Sequence, residues 1–480
     1  MSGVVAAGAP DTAAAGAEIL RRGGNAVDAA IAASLASFVA EPILASPGGA
    51  GVMTLALPGA EPAAIDFFSD MPGLGGSSLG REFDFRAIEI DFGPVRQEFH
   101  IGRGSAAVPG VLPGLAEAHR QFGAIALDEV VAPAVRLGRE GSRVTERALR
   151  VFRLIWPILA VDPETTRAVT NNTRVPRAGE WLRNPELADV LEEFAASGRT
   201  PDRMIEGLLD WFGPARGGLI TEADVTSFEP RVSRTRSESL GDWTVCLPPV
   251  PGGQLAQIIL RALAAGTSAG NEADEVLRFA RASAAGHAER HRASALGSTT
   301  HVSVVDSKGG AASVTLTNGE GCGYVIPGTG IQVNNFLGEE DLNPGGFHRH
   351  QPGRRLPTMM SPGVALRAGV PALALGSGGS NRIRSAVSEV LYRFVVRGQS
   401  LDDAVAGLRV HAEDETVWFE GEGLVDPRAV LARLAREFRN VHIFEQRDFF
   451  FGGVNTVYLD ENGKAHGVGD ARRGGAAVGV

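Results

Sequence analysis

Residues 299–321 read TTHVSVVDSKGGAASVTLTNGEG, and most of that run spells a β-hairpin. Thr300 to Asp306 is a strand rich in β-branched residues, Ser307 to Gly310 a turn, and Ala311 to Thr317 a returning strand. If the four turn residues separate Asp306 from Ala311 as a facing pair, Thr317 faces Thr300 and Asn318 faces Thr299. A second hydroxyl then lies at the open end of the hairpin, beside the threonine pair. Taken alone, the hairpin also allows Thr299, Thr300, Thr315 and Thr317 to be ordinary strand threonines.

Outward from the hairpin, helix and strand signals alternate with Gly and Pro as punctuation, as expected of a layered α/β chain. Asp11 is placed to cap a helix running to about Arg22, which Gly23 and Gly24 end; Asn25 starts a second, Ala-rich helix reaching about Ala40. Two small-residue helices in succession predict close packing. SPGGAGVMTLALPG and EPAAIDFF give strand, turn and strand, bringing a glycine loop beside a sheet. Helical patterns follow in LPGLAEAHRQFG and NPELADVLEEFAASG, LITEADVTSFEP starts as a capped helix leading to a strand, and CLPPVPGGQLAQIILRALAAG is a proline-rich loop feeding an apolar helix.

The composition is that of an enzyme-sized globular protein: 480 residues, 44% hydrophobic and 21% charged, with 56 acidic against 46 basic residues and a formal charge of -10. No basic run offers a footprint for nucleic acid, and no window has the length of apolar sequence that a membrane span needs, so neither partner is expected. The N-terminal stretch lacks a basic region followed by an apolar core, which makes a cytoplasmic location the expectation. Two cysteines, Cys246 and Cys322, do not make a disulfide framework. His287 and His291 stand four apart on a helical pattern between Ala273 and Ala295, yet the run is not H-E-x-x-H and suggests no third ligand; His348 and His350 alternate in a basic loop. No metal site is expected.

The hairpin run, followed by GTGIQVNN, resembles the region around the nucleophile in γ-glutamyltranspeptidases, N-terminal nucleophile hydrolases made as one precursor that cuts itself. GGNAVDAAIAAS (residues 23–34), PGGAG (47–51), VPGVLPGL (108–115), GGLITEADV (217–225), PPVPGGQ (248–254) and GSGGSNRI (376–383) follow in the order that family shows, so the likeness spans nearly the whole chain. The resemblance implies a four-layer αββα sandwich, a cleavage between Ser298 and Thr299, and two associated pieces, residues 1–298 and 299–480, building one core. It makes Thr299 the nucleophile and Thr317 the threonine that bonds it. The backbone amides of Gly379 and Ser380 become the oxyanion donors, although sliding the match by one gives Gly378 and Gly379. No metal or organic cofactor is implied, because the free α-amino group of the new N-terminus serves as the base.

The resemblance also carries departures that bear on the substrate. Where the family has an arginine gripping the α-carboxylate of a γ-glutamyl group, the triplet reads Asp66, Phe67, Phe68, and a phenylalanine forms no fork to a carboxylate. Glu339 falls at the family's acidic position for the α-amino group, while Phe336 replaces an amide; Asn318 fills the role of the asparagine after the second threonine. The carboxylate-binding serine pair becomes Pro357 and Thr358. Arg354, Arg355, Arg382 and Arg384 lie in or beside matched loops as replacements for the missing arginine. The expected activity is transfer or hydrolysis of a γ-glutamyl or related acyl group from a glutathione-like amide. The alternatives are a non-glutamyl amide acylase of the cephalosporin-acylase kind and an unprocessed relative that binds a small amide.

Overall fold

In the computed structural model, residues 3–76, 82–91, 96–266, 270–289 and 299–480 are described. Two antiparallel sheets stack face to face. One has seven strands in the order Ala476–Gly479, Val4–Ala7, Thr300–Val305, Ala311–Thr317, Ala50–Ala56, Ala63–Phe67 and Arg231–Arg234. The other has six: Ala465–Val468, Gly453–Leu459, Val370–Gly378, Gly363–Arg367, Trp243–Leu247 and Arg236–Leu240. Both sheets draw strands from either side of residue 299.

The central strands are buried on both faces, which is why Thr300–Val305 and Ala311–Thr317 read as continuous small and β-branched runs rather than alternating ones. One face of the seven-stranded sheet packs on helices Pro10–Arg21, Ala26–Ala40, Val111–Phe122, Leu127–Glu140 and Pro185–Ser197, whose apolar side chains share one core with Met53, Val302 and Val314. Helices Pro251–Ala265, Glu272–Ala288 and Arg382–Leu391 cover the outer face of the six-stranded sheet. The facing inner sides are filled by Ala6, Val305, Ala311, Val364 and Ala374. This is the four-layer αββα sandwich.

Ala26–Ala40 is apolar all round and buried along nearly its whole length, as a helix enclosed by other helices and a sheet must be. A Cβ added at Gly16 on the preceding helix would come within 2.9 Å of the Ala29 carbonyl, so small residues set how closely the two pack. Asn25 caps the helix: its side chain accepts from the amides of Val27 and Asp28, while Asp28 accepts from the Asn25 amide. Asp11 behaves differently from expectation. The first helix begins at Pro10 with Ala9 in the capping position and no side-chain cap; Asp11 stands inside the first turn and accepts a hydrogen bond from the Ser142 hydroxyl.

The hairpin also differs from the expected register, by one residue. Asp306 pairs with Gly310 through a 3.0 Å backbone bond, closing a three-residue turn, and the ladder runs Val305 against Ala311 to Thr300 against Leu316. The Asp306 carboxylate makes the tighter turn: Oδ1 accepts from the amides of Lys308 and Gly310, both at 2.8 Å, and Oδ2 accepts from Ala26 at the start of the buried helix. Continued one step, this register sets Thr317, not Asn318, opposite Thr299.

Candidate active site

The face of the hairpin turned toward the second sheet carries a polar stripe that ends at Thr299. His301 lies between Thr315 Oγ1 and Ser303 Oγ, each 2.8 Å from a ring nitrogen. Ser303 and Ser313 donate in turn to the carbonyls of Asn455 and Leu375 on the opposite sheet. Burial pulls the His301 pKa down to about 3, so the ring is neutral. Next along the stripe come Thr299 and Thr317, both almost fully buried at the strand ends. Thr317 Oγ1 accepts the Gly319 amide at 2.9 Å, which orients that hydroxyl.

Thr300, one residue on, points to the other face. Its hydroxyl donates to Glu41 Oε2 at 2.6 Å, and Thr12 donates to Glu41 Oε1 at 2.7 Å, anchoring the strand end to two helices. Desolvation raises the pKa of this buried carboxyl. The Thr299 carbonyl accepts from Arg473 Nη1 at 3.4 Å. Glu41 and Arg473 are contacts that sequence reasoning missed; Glu41 stands in the EP pair just before the PGGAG loop, which was the available signal.

The strand Val370–Gly378 brings the glycine strip against Thr299 so closely that a Cβ at Gly378 would lie 2.1 Å from the Thr299 carbonyl oxygen. The chain then turns through Gly379 at φ 121° and Ser380 at φ 50° before entering the helix Arg382–Leu391. A left-handed serine is an uncommon conformation, and here it sits on the same pocket as Thr299, opening a helix whose first amides can face an anion.

A narrow pocket of about 30 Å³ joins Thr299, Thr317 and Ser380 with Glu339, Asp341, Thr358, Phe68 and Phe336. Thus Thr299, Thr317, Ser380, Glu339 and Thr358 meet on one pocket, while Gly379 adjoins it through Ser380. Asn318 is fully buried and does not line it; its amide donates to Gln332 Oε1 at 3.3 Å. Ser298 and His291 lie outside the described residues. Phe68 does occupy the pocket, its ring centroid 4.9 Å from that of Phe336. Glu339 is 4% exposed, and its pKa stands well above the usual carboxylate range through burial and the neighbouring charges of Asp341 and Glu320.

Among the described residues no arginine lines this pocket. Arg384 is buried against Glu413 at 3.0 Å, Arg382 Nε donates to the Phe450 carbonyl, and Arg355 is held by Asp70 at 2.6 Å and Asp66 at 3.2 Å. Arg354 is exposed on a cavity of about 580 Å³ that shares Asp341, Thr358 and Met359 with the Thr299 pocket. The histidines are likewise occupied: His287 with Asp414 and Arg384, His348 with the Gly104 carbonyl, His350 with the Leu342 carbonyl. Among the described residues no His, Cys, Asp and Glu group is arranged to hold a metal ion. Cys246 and Cys322 are both free and buried.

The sequence profile described as Gamma-glutamyltranspeptidase matches residues 12–293 and 273–480, in effect the whole chain. The chain belongs to the gamma-glutamyltranspeptidase family. Among characterised relatives, it is 28% identical to the Acylase ACY 1 proenzyme of Pseudomonas sp. strain SE83, over 100% of this chain and 93% of that one. It is also 28% identical to the Glutathione hydrolase proenzyme of Pseudomonas aeruginosa, over 96% and 91%. Its fold matches the crystal structure of cephalosporin acylase from Bacillus halodurans with a TM-score of 0.82 at 21% identity, covering 99% of this chain and 95% of that one. As a gamma-glutamyltranspeptidase-family member the chain is an N-terminal nucleophile hydrolase in fold and an acyl-transfer or amide-hydrolysing enzyme in general chemistry.

Proposed function

We propose that Thr299 is the nucleophile of a self-processing acyltransferase or amidohydrolase, and that residues 1–298 and 299–480 are its two associated subunits. The observation that carries this reading is the pairing of Thr299 with Thr317 at the mouth of one pocket, with the Gly378–Ser380 strip packed on the Thr299 backbone. In the precursor, the Thr299 hydroxyl attacks the Ser298 carbonyl; the N-to-O shift breaks the peptide bond, forms an ester and frees the Thr299 amine, and water then hydrolyses the ester to leave a Ser298 carboxylate and the Thr299 hydroxyl. That amine, with a reference pKa of about 7.7–8.0, then takes the hydroxyl proton during turnover. The oxyanion formed on the substrate amide is met by the amides of Gly379 and Ser380; losing one such donor typically costs about 2.7–4 kcal/mol. The amide's amine leaves with a proton, and the threonyl ester passes to water or to an acceptor amine.

The acyl group is a γ-glutamyl group or a relative of it. Phe68, standing in the pocket where the family places its carboxylate-gripping arginine, favours a donor of non-glutamyl specificity, such as an acylase takes. The names of the Pseudomonas relatives, one an acylase and the other a glutathione hydrolase and both proenzymes, support the range and the processing. The test is a denaturing gel with N-terminal sequencing. Two bands are expected, the smaller starting at Thr299, and Thr299→Ala protein should remain one band and release no product from any anilide. Normal processing of Thr299→Ala would remove the assignment.

A further inference from the structure

The pocket at Thr299 is too small to be the whole site. Its volume of about 30 Å³ is room for about two water molecules, less than an acyl group of more than a few atoms requires. Beside it lies the cavity of about 580 Å³, and Asp341, Thr358 and Met359 belong to the walls of both. That volume falls in the usual range of small-molecule sites, roughly 300–1,000 Å³. The larger space is apolar inside and polar at its rim. Buried Val250, Leu255, Leu356 and Met359 form its walls, and Pro251 and Pro357 stiffen the backbone around them. Its inner polar groups are already answered: Arg355 pairs with Asp66 at 3.2 Å, Asp341 accepts from the Ser380 hydroxyl at 3.2 Å, and His350 Nε2 is bonded to the Leu342 carbonyl at 2.9 Å. Glu289 and Arg354 are exposed, as is Gln254. On the narrow pocket, Phe68 and Phe336 stand with Met359 and Met360, so the side toward Thr299 is apolar too.

Resting on the reading of Thr299 as nucleophile and of Phe68 as lying on its acyl side, we propose that the acyl group is long and uncharged, an alkanoyl or arylalkanoyl chain that passes Thr358 and Met359 and lodges its distal part in the larger cavity. A charge carried within the chain would lose its hydration against these walls without gaining a partner. Methylenes and a phenyl ring would gain by leaving water there. The raised pKa of Glu339, which burial causes first, lessens the charge that such a chain passes.

The experiment compares the acetyl, butanoyl, octanoyl, 4-phenylbutanoyl and γ-glutamyl amides of 4-nitroaniline with wild-type protein, and repeats the butanoyl measurement with 7-amino-4-methylcoumarin as a bulkier amine. Burying one methylene is worth about fourfold in an equilibrium constant, so octanoyl is expected about tenfold or more above butanoyl in kcat/KM, with 4-phenylbutanoyl beside it and γ-glutamyl below both. The bulkier amine should change the butanoyl rate far less than octanoyl does. Gln254→Trp, which sets an indole across the rim of the cavity, should bring the ratio of octanoyl to butanoyl close to one; a melting curve checks that the variant is folded. Self-cleaved protein that shows no rise with acyl length, prefers the γ-glutamyl amide, or responds to the size of the amine instead overturns the cavity assignment while leaving Thr299 as nucleophile. Absence of both self-cleavage and release from every amide overturns the two together.

Discussion

Thr317 shows how much one hydroxyl is placed by its neighbours. It stands across the hairpin from Thr299 and accepts the Gly319 amide, a hydrogen bond made beside the pocket rather than in the core. A hydrogen bond of that kind is worth about 0.5–1.5 kcal/mol. Thr317→Ala is therefore expected to slow self-cleavage and turnover by about tenfold while leaving the melting temperature close to that of wild type; timed gels and a thermal melt read both. Thr299 and Thr317 were legible in the sequence because both lie in a motif that is contiguous. Glu41 and Arg473 were not, because each reaches the site across more than 170 residues of chain, and local pattern holds no record of such contacts.

At the scale of the element, the hairpin was legible and its register was not. The residues of the two strands are unmistakably β-formers, but the turn could be closed over three or four residues, and what decides is the Asp306 side chain bonding Lys308, Gly310 and the start of a helix 280 residues earlier. The polar stripe behind Thr299 is held equally from afar. A Cβ at Gly376 would sit 2.2 Å from the His301 ring, which cannot shift without giving up Thr315 and Ser303. Gly376→Ala should cost about 1–3 kcal/mol, the usual range for overpacking, and appear as a lowered midpoint in urea unfolding with an unchanged slope.

For the whole molecule, the neutral buried His301 ties stability to pH. Its pKa of about 3 lies below the ordinary value of 6.5. Above pH 6.5 its contribution is complete; as pH falls from 6.5 toward 3 the unfolded chain takes up a proton that the folded one refuses, removing about 1.4 kcal/mol per unit. Glu389, raised to about 7 by burial, acts with the opposite sign between 4.5 and 7. The variant comparison isolates the histidine: His301→Gln should flatten the fall of unfolding free energy below pH 6.5 relative to wild type, whatever its stability at neutral pH. The αββα class was legible through the ordered motifs that resemble the γ-glutamyltranspeptidases, whereas the strand order was not, since neighbours such as Val4–Ala7 and Thr300–Val305 come from opposite ends of the chain.

That pairing has a practical consequence. Thr300–Val305 is hydrogen-bonded to Val4–Ala7 on one side, and Ala311–Thr317 to Ala50–Ala56 on the other, so the hairpin that follows Thr299 is gripped between two segments of residues 1–298. Under the proposed cut before Thr299, the halves should stay together through affinity capture of either terminus and part only in denaturant. Expressed without its companion, 299–480 would present the bare edges of strands that pair with residues 1–298, an invitation to aggregate. Anyone assembling the mature protein from separate genes should produce both halves in the same cell.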